Sequence, residues 1–483
     1  MTDATSLEAA RIPASTPELH TLGAAEAARA LRAKEFTSTE LVQAVLDRIA
    51  AVNPRVNAVR EVLAESALRA AAEADLRLAA GRPAGPLDGV PVTVKDNIDV
   101  AGSATTQGVA AFVGAAAPVD APAVARLRGA GAIPVARTNM PDLALRWHTD
   151  SGLMGPTLNP WDARLTPGGS SGGEAVCLAT GMSPLGVGND LGGSLRWPSL
   201  CAGTTALRPT LGRVPHALSV EPTVKPLSLQ LIEVQGPMAR HVEDLRLALG
   251  VLCAPDTRDP WHVPVPASYA PRLPRRVHVL HEMDGVPYDP AVTEALRRAA
   301  TALQAQGYEL CDAPPPDIEE AATGWAHLMA GDARRALPAA RGLVSADARR
   351  FMDLMFQLVP HLELDEYAEV FTARQRIGRA WAEYQSTTPL VLAPVFAGRP
   401  FRAGADLDGV DAAHGIVTSL RATVAVNFLG LPAVAVPTGL VDGLPQGVQV
   451  IGPRFGEELC LRAAESIESV WGRVVPVEAF VRS

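Results

Sequence analysis

Between Leu22 and Leu78 apolar residues recur every three or four positions, the mark of helices with one buried face. Thr37-Ser-Thr-Glu40 reads as a capping box, in which an N-cap hydroxyl and a Glu three residues on satisfy the free N–H groups of the first turn. Leu41, Val42, Val45, Leu46 and Ile49 follow at helical spacing, and Asn53-Pro54 predicts the helix end. The pattern changes at Gly89-Val-Pro-Val-Thr-Val-Lys95, a β-branched run that predicts a buried strand. Ala121–Arg128 predicts a helix, Ala132–Val135 a strand, Glu174–Ala179 a helix and Pro184–Val187 a further strand. Such alternation predicts an α/β core with a mixed or parallel sheet.

The stretch from Ala254 to Arg275, rich in Pro and Arg, predicts a long surface connection, followed by helical segments to about Gln385. Leu431-Pro-Ala-Val-Ala-Val-Pro437 and Gln446–Ile451 return to strand and turn. Chemistry-bearing residues lie on both sides of the helical stretch, which predicts one interleaved domain over 1–483. Its parts are N-terminal helices (20–80), a core (85–250), a variable, largely helical segment (about 254–400) and a C-terminal return to the core (401–483).

Composition narrows the function classes. Hydrophobic residues make up 48% and charged ones 20%, enough apolar material for a substantial core. The 43 basic side chains fall short of the 52 acidic ones, and a net charge of −9 argues against nucleic acid as the main ligand. Five scattered cysteines without a CxxC predict neither a disulfide framework nor a cysteine metal site. The N-terminus has no apolar leader-like run, and Val424–Leu440 is broken by Asn427, Gly430, Pro432 and Pro437. No membrane span is therefore predicted, and a cytoplasmic location is expected.

Only three lysines occur, Lys34, Lys95 and Lys225; the other 40 basic residues are arginine. Lys34 reads as a helix end and Lys225, beside Pro226, as surface. Lys95 closes the apolar run Val90–Val94 and is expected to be at least half buried. Burial lowers a lysine's pKa and favours the neutral amine, a base that arginine cannot supply. A lysine paired with Asp96 or Asp99 at a strand end accounts for the same pattern, and both readings stand.

Gly168-Gly-Ser170-Ser171-Gly-Gly173 lacks the spacing of a phosphate loop, and no apolar strand precedes it as a nucleophile elbow requires. Gly186-Val-Gly188-Asn-Asp-Leu-Gly192-Gly193-Ser194 misses the dinucleotide fingerprint by one residue and lacks its downstream carboxylate. What remains is a tight glycine turn ending in Ser194, able to gather the N–H groups that an acyl-transfer oxyanion needs. Asp190 and Arg196 flank the turn as a bracing pair or an ordinary surface pair. No histidine is near either serine segment, and a serine–lysine arrangement needs none.

These segments resemble the amidase signature family along nearly the whole chain. Gly89–Asn97 resembles its lysine strand, and Gly168–Gly173 through Gly192-Gly-Ser-Leu-Arg196 its serine–glycine signature, with Ser170 and Ser194 24 residues apart. Ala132–Asn139, Asn159-Pro-Trp161, Gly236–Arg240, Asn427–Pro437 and Gly443–Gln449 resemble further blocks. Arg208 stands where relatives often have lysine, and Asn189 where they often have Ser or Thr; neither is a catalytic position of the family.

The resemblance implies a large mixed central β-sheet covered by helices on both faces, with a helical insertion. It implies Ser194 as nucleophile, Ser170 as bridging serine after a cis peptide at Gly169–Ser170, and Lys95 as base. The oxyanion donors are the backbone N–H groups of Leu191, Gly192, Gly193 and Ser194, with Ser171, Asp190 and Arg196 in support. No cofactor or metal is implied. Leu145 and Trp147, in the segment Leu143–Asp150, fall where relatives line the acyl pocket, although core packing explains them equally. Phe351, Met352, Met355, Phe356 and Val359 form an apolar stripe, read as core or as a substrate-channel wall. The expected partner is a small apolar or aromatic amide, with carbamates and esters as further candidates. The alternative is a glutaminase subunit of the amidotransferase type, working in a complex. Oligomeric state is open, a homodimer included.

Overall fold

The computed structural model describes residues 18–114, 116–220 and 223–472, together with 474, 475, 477 and 478. Residues 1–17, on which the reading of the N-terminus rests, lie outside the described residues. The strands of the main sheet are β1 (Val59–Val62), β2 (Pro91–Lys95), β3 (Ile133–Thr138), β4 (Leu185–Asp190), β5 (Thr205–Arg208) and β6 (Val234–Ala239). They continue with β7 (Arg276–Val279), β8 (Glu309–Cys311), β9 (Leu390–Ala393), β10 (Ala433–Val441) and β11 (Leu444–Ile451). These strands form one 11-stranded sheet in the order β1-β3-β2-β4-β6-β5-β10-β11-β9-β7-β8. Neighbours β3, β2 and β4 run parallel, as do β9, β7 and β8; the remaining pairs are antiparallel. The sheet is mixed, as the resemblance implied.

Strand alternation sends successive side chains to opposite faces. Val434 and Val436 of β10 join one hydrophobic core, and Ala433 and Ala435 join the other. The first core packs against helices Ala24–Ala33, Val242–Leu252, Pro290–Ala305 and Glu457–Trp471. The second holds Trp197 and Trp381 and receives helices Ile318–Ala340, Leu364–Gln385 and Arg421–Leu429. The sheet is thus covered on both faces.

Helix Ser38–Val56 begins with the expected capping box at Thr37 and Glu40. It runs past Asn53-Pro54 to Val56, with Pro54 in its last turn. The Asn53 side chain closes that end, accepting from the N–H groups of Ala58 and Val59 at 2.8 Å each. Strand β1 interrupts the stretch expected to be helical throughout; it is only four residues long, too short for periodicity to mark. The segment expected to be largely helical also contributes β7, β8 and β9, which complete one edge of the sheet. Among the described residues no helix is long and apolar enough to cross a membrane.

Candidate active site

Parallel strands β2 and β4 lie side by side, so their C-terminal ends open onto the same place. Val92 and Val94 face the first core. Alternation turns Thr93 and Lys95 the other way, toward the Gly168–Gly173 loop and the helix Gly172–Ala179 that follows it. Lys95 is fully buried, with Nζ 2.7 Å from Ser170 Oγ and 2.5 Å from Asn189 Oδ1. Burial lowers its pKa from 10.5 to about 7, although Glu233, Asp190 and Glu174 pull the other way. The ion-pair reading of Lys95 is overturned. Asp96 instead takes Arg60 Nε at 2.9 Å and the Thr106 hydroxyl, while Asp99 takes Thr105 Oγ1 and the Ser219 N–H, both at 2.7 Å.

The Gly169–Ser170 peptide is cis, where the resemblance placed such a bond. Gly169 has no room for a side chain, since a Cβ there would stand 2.7 Å from the Arg146 carbonyl oxygen. Ser170 and Ser171 are buried, and Ser171 Oγ has no hydrogen-bond partner among the described residues. Helix Gly172–Ala179 then supplies Glu174, whose carboxylate accepts from the hydroxyls of Thr93 and of Thr138, the latter at 2.9 Å.

β4 ends at Asp190, and the chain turns sharply through Gly193, whose φ of +96° favours glycine. Arg196 and Asp190 form a bidentate pair at 3.0 and 3.1 Å, and both side chains have zero exposure. The surface-pair reading is therefore excluded. Asn427 Nδ2 donates to Asp190 Oδ1 (2.7 Å), and Arg196 donates to Asn427 Oδ1 and Gln449 Oε1 (2.6 Å each). Burial alone would raise the Asp190 pKa, but Arg196, Arg208 and these bonds outweigh it and hold it well below the usual carboxylate range. Two indoles fix the turn from outside: Trp325 Nε1 donates to Leu191 O and Trp147 Nε1 to Gly192 O, both at 2.8 Å. Since the C=O and N–H of a trans peptide point opposite ways, these bonds also fix the directions of the Gly192 and Gly193 N–H groups. The Gly193 N–H donates to Asp190 Oδ1 at 2.9 Å, so it is committed to the brace rather than free for an oxyanion.

Ser194 opens onto a cavity of about 390 Å³, a size suited to a small organic molecule. Leu145, Trp147, Leu191 and Gly192 line it beside Ser194. Helix Ile318–Ala340 adds Trp325 and Met329, and helix Ala346–Leu358 with its exit adds Phe351, Met352, Met355, Phe356 and Val359. The apolar stripe is thus both core and wall: Phe351 and Met352 are buried, yet all five residues face the cavity. Trp147 packs against Trp325 and Phe351 with ring centroids 6.0 and 5.9 Å apart. Charged groups also reach the lining, and among them Glu319 and Arg421 pair at 3.6 Å.

The family model described as "Amidase" matches residues 40–461. The chain belongs to the amidase signature family. It is 39% identical to an indoleacetamide hydrolase of Bradyrhizobium diazoefficiens over 92% of this chain and 86% of that protein. It is 31% identical to a glutamyl-tRNA(Gln) amidotransferase subunit of Salinispora arenicola, over 95% and 99% of the two chains. A solved bacterial aryl acylamidase of the amidase signature family superposes with a TM-score of 0.81 at 26% identity, over 93% of this chain and 96% of that one. As a member of the amidase signature family, the protein is a hydrolase of C–N amide bonds.

Several residues around this candidate site carry roles that the sequence did not reveal. Asn189, which is not one of the family's catalytic positions, touches Lys95. Lys225, expected at the surface, is largely buried: its Nζ lies 3.4 Å from Glu233 Oε2 and 2.6 Å from His216 Nδ1. Its rarity among 40 arginines was a signal available in the sequence. Trp325 carried none, because its place at the turn depends on how a distant helix docks.

Proposed function

We propose that this amide hydrolase cleaves amides of apolar, aromatic acyl groups of the arylacetamide kind through an acyl-enzyme on Ser194. The observation that carries the reading is the cavity of indole, phenyl, thioether and leucine side chains beside Ser194. The name of the 39% identical indoleacetamide hydrolase points the same way.

In this reading neutral Lys95 accepts the Ser170 proton while Ser170 accepts that of Ser194, whose oxygen bonds to the substrate carbonyl carbon. Of the four N–H groups expected to hold the tetrahedral anion, that of Gly193 bonds Asp190, so the reading uses those of Leu191, Gly192 and Ser194, each donor contributing about 3 kcal/mol. The relay returns the proton to the departing nitrogen as the C–N bond breaks. Water, deprotonated along the same path, then releases the acid and restores Ser194. Carbamates and esters follow the same path. A glutaminase subunit is the weaker reading, because glutamine's ammonium and carboxylate need unpaired counter-charges, whereas Glu319 and Arg421 pair with each other.

The test is a substrate panel of indole-3-acetamide, an anilide, a phenyl carbamate, an aryl ester and glutamine, run with wild type and Ser194→Ala. Wild type is expected to prefer the aromatic substrates, and Ser194→Ala to lose roughly 10⁴-fold or more in kcat. Since Lys95 must be neutral to act, wild-type kcat/KM is expected to rise with pH through about 7. Equal turnover by both proteins overturns the nucleophile assignment, and preference for glutamine overturns the substrate class.

A further inference from the structure

We infer that Asn189 and Glu233 form a positioning relay behind Lys95, which aims the amine's lone pair at Ser170 and sets how readily the amine takes a proton. The inference rests on the proposed role of Lys95 as base. Asn189 sits near the end of β4, opposite Gln235 of antiparallel β6, and Glu233 immediately precedes β6. The register therefore brings the Asn189 amide between Lys95 and Glu233. Its Oδ1 faces Lys95 Nζ at 2.5 Å, and its Nδ2 donates to Glu233 Oε1 at 3.1 Å. This orientation of the amide is the productive one, since the flipped one would aim a donor at the amine's lone pair and set oxygen against carboxylate.

The choice of an amide has a consequence for the base. A neutral amine carries two hydrogens and one lone pair. An amide oxygen can only accept, so it takes an N–H and leaves the lone pair to Ser170. A hydroxyl in the same place could donate to the lone pair and compete with Ser170.

Glu233 completes the device. Its other oxygen lies 3.4 Å from Lys225 Nζ and 3.5 Å from His216 Nδ1. Burial pushes its pKa up, but His216 and Lys225 outweigh that and keep it below its ordinary value, hence ionised. His216 is itself pushed down to about 4, by burial first and then by Lys225, whose Nζ lies 2.6 Å from its Nδ1. The carboxylates acting on Lys95 are Glu233, Asp190 and Glu174, with Glu233 the foremost. Asp190 is committed to Arg196 and Asn427, and Glu174 to two threonine hydroxyls. Glu233 alone is linked to the amine through a single polar side chain. A proton arriving on Lys95 is stabilised by that charge through the polarised amide.

The test is the pH dependence of kcat/KM toward indole-3-acetamide for wild type, Glu233→Gln, Asn189→Asp and Asn189→Thr, with thermal unfolding of each. Removing the charge at 233 disfavours the ammonium form, so Glu233→Gln is expected to move the acid limb to lower pH by about half a unit or more. Asn189→Asp sets a charge against the amine and moves the limb to higher pH. Asn189→Thr breaks the link to Glu233, moving the limb down and lowering kcat about tenfold as the hydroxyl competes for the lone pair. An acid limb unmoved in the folded variants, whatever their rate or melting temperature, overturns the relay. If Glu233→Gln fails to fold, the two Asn189 variants decide. Full activity in Lys95→Ala overturns the base assignment itself. With Lys95→Ala inactive and the limb unmoved, the relay alone falls.

Discussion

Glu174 is a carboxyl with no cation bonded to it among the described residues, held in the interior by two threonine hydroxyls. Burial raises its pKa from 4.5 to about 7, although the hydroxyls and Lys95 favour the charged form. Such a group binds its proton more tightly folded than unfolded. Between about 4.5 and about 7 the native state therefore holds the extra proton, and unfolding free energy falls as pH rises through that window. Glu174→Gln keeps the shape and an acceptor while removing the titration. Urea unfolding at pH 5 and pH 7.5 is expected to show a smaller loss of stability in the variant than in wild type, and an unchanged difference counts against the assignment. Lys95 shows the same physics with the opposite charge: burial depresses a cation where it raises an acid, and both end near neutrality.

Helix Ala346–Leu358 shows how one element shapes what reaches Ser194. Ser345 caps it, its hydroxyl accepting from the Ala348 N–H at 3.2 Å. Asp142 anchors the cap by accepting from the Ser345 N–H (2.6 Å) and, through its other oxygen, from the Gly152 N–H (2.7 Å). The helix start is thus bolted to the loop that carries Leu145 and Trp147, and Phe351, Met352, Met355 and Phe356 face the cavity. Met355 packs on the second core without being fully buried, so its replacement alters the cavity more than the fold. Met355→Trp is expected to lower kcat/KM for indole-3-acetamide about tenfold while leaving acetamide turnover within about twofold. An equal loss on both substrates would place Met355 outside the acyl pocket.

Across the whole molecule, buried ion pairs join segments remote in sequence. Arg146 grips Asp406 with two bonds, at 2.8 and 2.9 Å, between two side chains of 1% exposure. The pair ties the loop carrying Leu145 and Trp147 to the C-terminal part of the chain. Arg146→Ala leaves a buried carboxylate without its partner, and unfolding free energy from denaturant titration is expected to drop by about 3–5 kcal/mol. A loss below about 1 kcal/mol would mean that water replaces the arginine.

Hydrophobic period and turn chemistry were enough to read the capped helix at Thr37, the strand at Lys95, the glycine turn at Ser194 and the α/β class. Each of these is a local property, set by side-chain spacing and backbone freedom within a few residues. The lysine count also pointed to Lys95, because a buried amine among 40 arginines needs a chemical reason. Partnership was left to the tertiary structure. Whether Lys95 pairs with Asp96 or faces Ser170 depends on which face of β2 it occupies and what β4 lays beside it. Asn189 reaches the amine only because β4 is flanked by parallel β2 and antiparallel β6, and Trp325 holds Leu191 only after a helix more than a hundred residues away has docked. Hydrogen bonds and desolvation act over a few ångströms in space. The chain's own order decides which groups it possesses, and packing alone decides which of them meet.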